Sequence, residues 1–278
     1  MTVSRTPLFS RALGIALRSG PMWLVALAAA AVNLLGGLLL DRFDPSGSTL
    51  GSVLSTLLFA LTTAFLTGAL IVLADRAAEG QFPSFADGFA AGVRFYPVLL
   101  LVDLLMAPPL FAADQAQSAI FSQLPQDPTA ALQLPDSTML LALCGLPILF
   151  LVFLLVIATL VGAERAAALE GAGAGAALRR GWRLLATRMG DMFVIGLMEL
   201  GVMFVAGLLF GCCGFLALTI NPSLANAGSS GAPGFLSGIT FSILLDLVMV
   251  PFQVWFSTVW TLAFRRWQGK DLPVVVAE

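Results

Sequence analysis

The chain has 278 residues, 59% hydrophobic and 11% charged, against about 25% charged residues in a soluble domain. Too little polar material remains to cover a globule of this length, so lipid must be the solvent for much of the surface. A net charge of −2 gives no sign of a nucleic-acid partner, and the absence of histidine removes the commonest general base and metal ligand.

A bilayer core takes about 20 apolar helical residues. Six segments qualify in chain order: 21–40, 52–74, 95–113, 138–162, 191–220 and 236–264. Arg5, Arg11 and Arg18 ahead of the first resemble a signal peptide. Its apolar run is longer than the usual h-region of about 7–15 residues, so it reads as a mature span. Turn chemistry separates the spans at 41–47, in the Pro/Gln/Asp stretch 114–136, and from Asn221-Pro222 to Pro233-Gly234. The last two spans are long enough to tilt, kink or pass the membrane surface.

Six spans put both termini on one side with the second and fourth connections. That side holds Arg5, Arg11, Arg18, Arg76, Arg94, Arg165, Arg179, Arg180, Arg183, Arg188, Arg265, Arg266 and Lys270, and the other side only Arg42. The asymmetry predicts cytoplasmic termini.

The charged stretches between spans repeat. Aligned on Arg18, Arg94 and Arg183, the residues Phe9/Leu13/Leu17, Phe85/Phe89/Val93 and Ala174/Leu178/Trp182 each mark one face of a helix. Ala74-Asp75-Arg76-Ala77-Ala78 matches Ala163-Glu164-Arg165-Ala166-Ala167, and Arg265 with Gly269 and Pro273 echoes Arg76, Gly80 and Pro83. The reading is an all-α polytopic membrane protein forming one domain over 1–278. It has three related units, 5–76, 82–165 and 172–266, each an interfacial amphipathic helix followed by a two-span hairpin. The second unit is longer, with its insertion placed in 107–137. Pro83 is expected in the first turn of the second amphipathic helix.

Asp103, Glu199 and Asp246 fall well inside predicted spans, where an ionised carboxylate costs about 2.5–3.5 kcal/mol or more. No Lys or Arg is expected at comparable depth. Ser242, Asp246, Gln253 and Ser257 share a helix face, and Thr56, Thr63, Thr67 and Asn33 add polar positions on other spans. Together they predict a polar seam inside the bundle, whose core is Asp103, Glu199, Asp246 and Gln253. It serves either as an ion or substrate path or as packing through neutral carboxyls. A second candidate site, for lipid headgroups or a protein partner, is the basic cluster Arg179, Arg180, Trp182, Arg183 and Arg188. Cys144, Cys212 and Cys213 lie in apolar runs without metal-ligand spacing and read as small buried hydrophobes, with a strained 212–213 disulfide as the alternative. No phosphate loop or catalytic signature is present, so no metal or cofactor is expected.

The repeated plan, Gly181-Trp182-Arg183 and the closing FRRWQGKDLP at 264–273 resemble a bacterial group of membrane proteins. That group includes the six-span membrane domain attached to some glycerophosphodiester phosphodiesterases. The chain departs from those enzymes in having no room for their catalytic barrel and no histidine. The resemblance therefore implies a stand-alone membrane domain without that activity.

The expected function is a non-enzymatic membrane scaffold that meets membrane lipids, or a protein partner at the cytoplasmic face. The alternative is a small proton- or cation-linked transporter or channel using the intramembrane carboxylates. An intramembrane enzyme ranks third.

Overall fold

A computed structural model of the chain describes residues 6–43, 49–122, 144–220 and 232–270. The described residues form helices α1 (Thr6–Arg18), α2 (Gly20–Phe43), α3 (Thr49–Ala78), α4 (Phe85–Ser122), α5 (Leu146–Glu170), α6 (Ala174–Ile220) and α7 (Ala232–Trp267). Five of them, α2 to α6, carry stretches long and apolar enough to cross a membrane. The described residues are therefore all-helical, as composition led one to expect, with helices suited to lipid.

Element ends follow local chemistry. α4 opens on a capping box: Ser84 N–H donates to Asp87 Oδ2 at 2.8 Å, and Asp87 N–H donates back to Ser84 Oγ at 3.2 Å. Ser84 is thus the N-cap, and Pro83 precedes it instead of occupying the first turn. α3 and α7 end alike. Gln81 N–H reaches Arg76 O and Gly80 N–H reaches Ala77 O, just as Lys270 N–H reaches Arg265 O and Gly269 N–H reaches Arg266 O. Gly80, Gly269 and the cap of α5, Gly171, all have positive φ, a conformation that favours glycine.

Some boundaries differ from the sequence reading. α2 runs through Asp41-Arg42-Phe43, which read as a turn. α4 continues through Pro108 and Pro109 to Ser122, past the expected span end at 113 and into the stretch read as a loop. The Ala/Gln run 112–119 has high helix propensity, which carries the helix onward. The rest of the expected insertion, 123–137, lies outside the described residues. The amphipathic segments are also set off differently. Ser19 separates α1 from α2, non-helical backbone at Arg188 divides α6, and α4 runs unbroken.

Small residues make the interior. Ala12, Ala26, Ala64, Ala69, Ala74, Ala163, Ala166 and Ala177 are buried, while Leu35, Phe59, Phe111, Ile148 and Phe204 are exposed. That inside-out distribution suits helices packing through small side chains in lipid. α5 meets α6 most closely: a Cβ added to Gly162 would lie 3.1 Å from Gly181 Cα. α3 meets α4 similarly, since a Cβ on Gly92 would lie 2.6 Å from the Phe65 ring. α7 packs mainly on α1, α2 and α3 and only sparsely on α5 and α6. That uneven packing leaves space between the two groups of helices.

The repeated stripes are largely uncovered. Leu13, Leu17, Phe85, Phe89, Val93 and Trp182 are exposed, whereas Phe9 and Ala174 are buried. α1 is held against the bundle by Arg11, which donates to Ala78 O at 3.5 Å, and by Trp255, which donates to Phe9 O at 3.4 Å. Cys144 is free and exposed, which corrects the expectation that it is buried. The side chains of Cys212 and Cys213 lie outside the described residues.

Candidate functional site

The space beside α7 is a cavity of about 260 Å³, lined from α2, α3, α5, α6 and α7. Its polar lining comprises Asn33, Thr62, Thr63, Thr67, Glu164, Arg165, Glu199, Gln253 and Ser257, with Trp260. On α2, α3, α5 and α6 its lining falls within the stretches long and apolar enough to cross a membrane. From the Arg188 break to Glu199, α6 advances about 16 Å, and α2 advances about 20 Å from Gly20 to Asn33, at 1.5 Å per residue.

Three charged side chains meet this space. Arg165 donates from its guanidinium to Glu164 Oε2 at 2.9 Å and to Val161 O at 3.2 Å. Its side chain is 5% exposed and that of Glu164 is 13% exposed. Glu199 accepts a 2.8 Å hydrogen bond from the Trp260 indole N–H. Among the described residues no ion pair reaches Glu199. Among the described residues, Asn33 Oδ1, Arg165 Nε and Ser257 Oγ are buried without a protein partner. Thr62 is different, because its hydroxyl returns to Leu58 O at 2.8 Å. The cavity therefore offers one internally neutralised pair, one further carboxylate, and polar atoms with unused hydrogen-bonding capacity.

An apolar groove of about 220 Å³ adjoins it between α5 and α6. Leu151, Leu155, Met189, Phe193 and Gly196 are among its walls. Val161, Glu199, Met203 and Trp260 line both spaces.

The expected seam residues part company here. Glu199 and Gln253 line the cavity, with Asn33, Thr63, Thr67 and Ser257. Asp103 stands half-buried on α4, outside that lining but within electrostatic reach of Glu164. The side chains of Asp246, Ser242 and Thr56 lie outside the described residues. The expectation that no Arg shares the acids' depth is corrected: Arg165 is 4% exposed and lines the same cavity as Glu199. Sequence reasoning assigned Glu164-Arg165 to a surface exit because it matched Asp75-Arg76. The alanines at 163 and 166–168, all buried, were the available signal that this end of the helix is covered on several sides.

The basic cluster forms a separate surface. Arg179, Trp182, Arg183 and Arg188 are exposed, and Arg180 contacts Glu170 at 3.4 Å. Arg188 borders a second cavity of about 220 Å³ with Leu8, Phe9, Asp191, Arg266 and Trp267. At the same end of the bundle, Arg265 bonds Asp75 and also Glu79, the latter at 3.0 Å. Burial works against the Arg265 charge, and the two carboxylates overcome it, so its pKa lies above the ordinary arginine value. Arg11 nearby is shifted downward, by burial and then by the Arg265 charge.

The family described as a domain of unknown function, DUF7847, matches residues 1–266. No curated protein and no solved structure matches the chain. Among the described residues no group of three or more Cys, Asp or Glu side chains is placed to hold a metal.

Proposed function

We propose that this chain, which belongs to the DUF7847 family, is a six-span integral membrane protein that binds a charged ligand inside the bilayer, in the manner of a carrier and without catalysing a reaction. One observation carries the reading: Glu164, Arg165 and Glu199 line a cavity whose Asn33 Oδ1, Arg165 Nε and Ser257 Oγ have no protein partner among the described residues. Each buried polar group left unpaired costs about 1–3 kcal/mol, and charges at this depth are costly and mark ligand or ion paths. Packing alone needs none of them, since buried alanine would fill the same positions without that cost. The transport-like reading therefore moves ahead of the scaffold reading.

Topology follows the basic residues. The faces bearing α1, the start of α4 and the start of α6 would be cytoplasmic, with α7 as the sixth span. The exposed Arg179, Trp182 and Arg183 would then meet headgroups, a supporting contact beside the intramembrane site.

The test is mass spectrometry of protein purified gently from native membranes. Wild type should carry a bound small molecule or lipid that Glu199→Gln loses and that Arg179→Gln/Arg183→Gln retains. The opposite pattern would return the scaffold reading to first place. A ligand retained by both would refute both sites.

A further inference from the structure

We infer that the ligand is a lipophilic cation: a hydrocarbon chain seated in the α5/α6 groove, ending in an ammonium head at Glu199 and Trp260. This rests on the binding reading above and names its ligand class. The first argument is continuity. Glu199 and Trp260 line the polar cavity and the apolar groove alike, so an amphiphile spanning both spaces places its head–tail junction at these two residues.

The second argument is charge. Glu164 and Arg165 neutralise each other at 2.9 Å. Glu199 takes a neutral indole donor and lies within electrostatic reach of Arg165 without pairing with it among the described residues, so the three charged groups sum to one formal negative charge. A monocation balances it and an anion does not.

The third is aromatic lining. Phe59, Phe252, Phe256 and Trp260 all face the cavity. Aromatic faces beside a carboxylate attract ammonium groups most when both are desolvated. Apart from Glu199 and Trp260, the groove walls are aliphatic residues, methionine, phenylalanine and one glycine, so they suit hydrocarbon. At roughly 30 Å³ per water-sized group, 220 Å³ holds about seven such groups, part of a lipid-length chain.

The experiment uses the full chain in nanodiscs, with empty nanodiscs subtracted. Dodecyltrimethylammonium, tetramethylammonium and dodecyl sulfate are titrated below micelle formation, with tryptophan fluorescence as the readout. Wild type should bind dodecyltrimethylammonium saturably, Glu199→Gln should weaken it about tenfold or more, and dodecyl sulfate should not saturate. Gly196→Leu projects into the groove from a position where an added Cβ meets nothing within 4 Å. It should weaken the long-chain probe about tenfold while sparing tetramethylammonium. In wild type, affinity should rise with chain length from butyl to dodecyl, a test that needs no variant.

Tetramethylammonium binding that needs Glu199, with no gain from the chain and no effect of Gly196→Leu, would overturn the amphiphile and leave the cavity reading standing. Indifference of every probe to Glu199→Gln would overturn both. Saturable dodecyl sulfate binding of equal strength would overturn the charge argument and with it the inference.

Discussion

Gly181→Ala should loosen the contact that holds the charged end of α5 in place. A Cβ at position 181 would stand 2.8 Å from Ala163 N, 3.2 Å from Ala163 Cβ and nearer still to the Thr159 carbonyl oxygen. Two of those obstacles are backbone atoms, which no rotamer change can move. Ordinary contact begins near 3.4 Å, so the helices must part by roughly half an ångström or more. Overpacking of this kind costs about 1–3 kcal/mol. The strain falls one to two residues from Glu164 and Arg165, so it should also weaken ligand retention. Gly175→Ala, in the same helix, is the control: an added Cβ there meets nothing within 4 Å. Alanine's helix propensity should make that change neutral or stabilising by up to about 1 kcal/mol. Thermal unfolding in detergent or nanodiscs reads both. Gly181→Ala should fall by several degrees and Gly175→Ala should not. Equal melting of the two variants would refute the close approach of α5 and α6.

Arg265→Gln and Asp75→Asn should each destabilise the end of the bundle where α3 meets α7, and their double-mutant cycle should show coupling of about 1–3 kcal/mol, because Arg265 is nearly buried against Asp75. Additive melting shifts would refute the pairing. In a cysteine-free background, Phe89→Cys should react at least tenfold more slowly with an impermeant maleimide in membranes than Gln81→Cys. The Phe89 side chain is 53% exposed on the protein, where lipid would cover it, and Gln81 lies in the connection before α4. Equal rates would refute an interfacial position for the stripe. Asp103→Asn should leave ligand retention unchanged, since Asp103 does not line the cavity. Loss of ligand in that variant would refute the assignment of the site to α2, α3, α5, α6 and α7.

Hydropathy made the lipid-facing helices legible, because span length and composition survive uncertainty in packing. Side-chain spacing also reached much of the cavity lining: Asn33, Thr63, Thr67, Gln253 and Ser257 could be picked as polar positions in apolar helices. What periodicity leaves open is azimuth, the direction a polar face takes in the bundle. Asp103 and Glu199 look equivalent as lone acids in spans, yet only Glu199 turns toward the cavity. Arg165 was misplaced for a related reason. Its distance along the chain from Glu170 fits an exit at the membrane surface, and only the packing of α5 against its neighbours encloses it.

Arg76, Arg165 and Arg265 each stand in the last turns of a helix. Arg76 and Arg265 are two residues from their helix ends, which Gly80 and Gly269 close with the same hydrogen bonds, whereas Arg165 is five residues from the end of α5. Their partners differ. Arg76 reaches forward to Asp87 at 2.5 Å, at the opening of α4, and is 41% exposed. Arg265 reaches across to Asp75 and Glu79 on α3, joining the last helix to an earlier one. Both act as clasps between elements, Arg76 exposed and Arg265 nearly buried, and replacing either should be felt in stability. Arg165 pairs with its own neighbour Glu164 and crosses to no other helix through that bond. An arginine that clasps nothing gains little by being buried, and desolvating the pair is costly. Its enclosed position is better explained by what it lines. The two clasps fix one end of the bundle, and Arg165, which takes part in neither, lines the cavity with its charge.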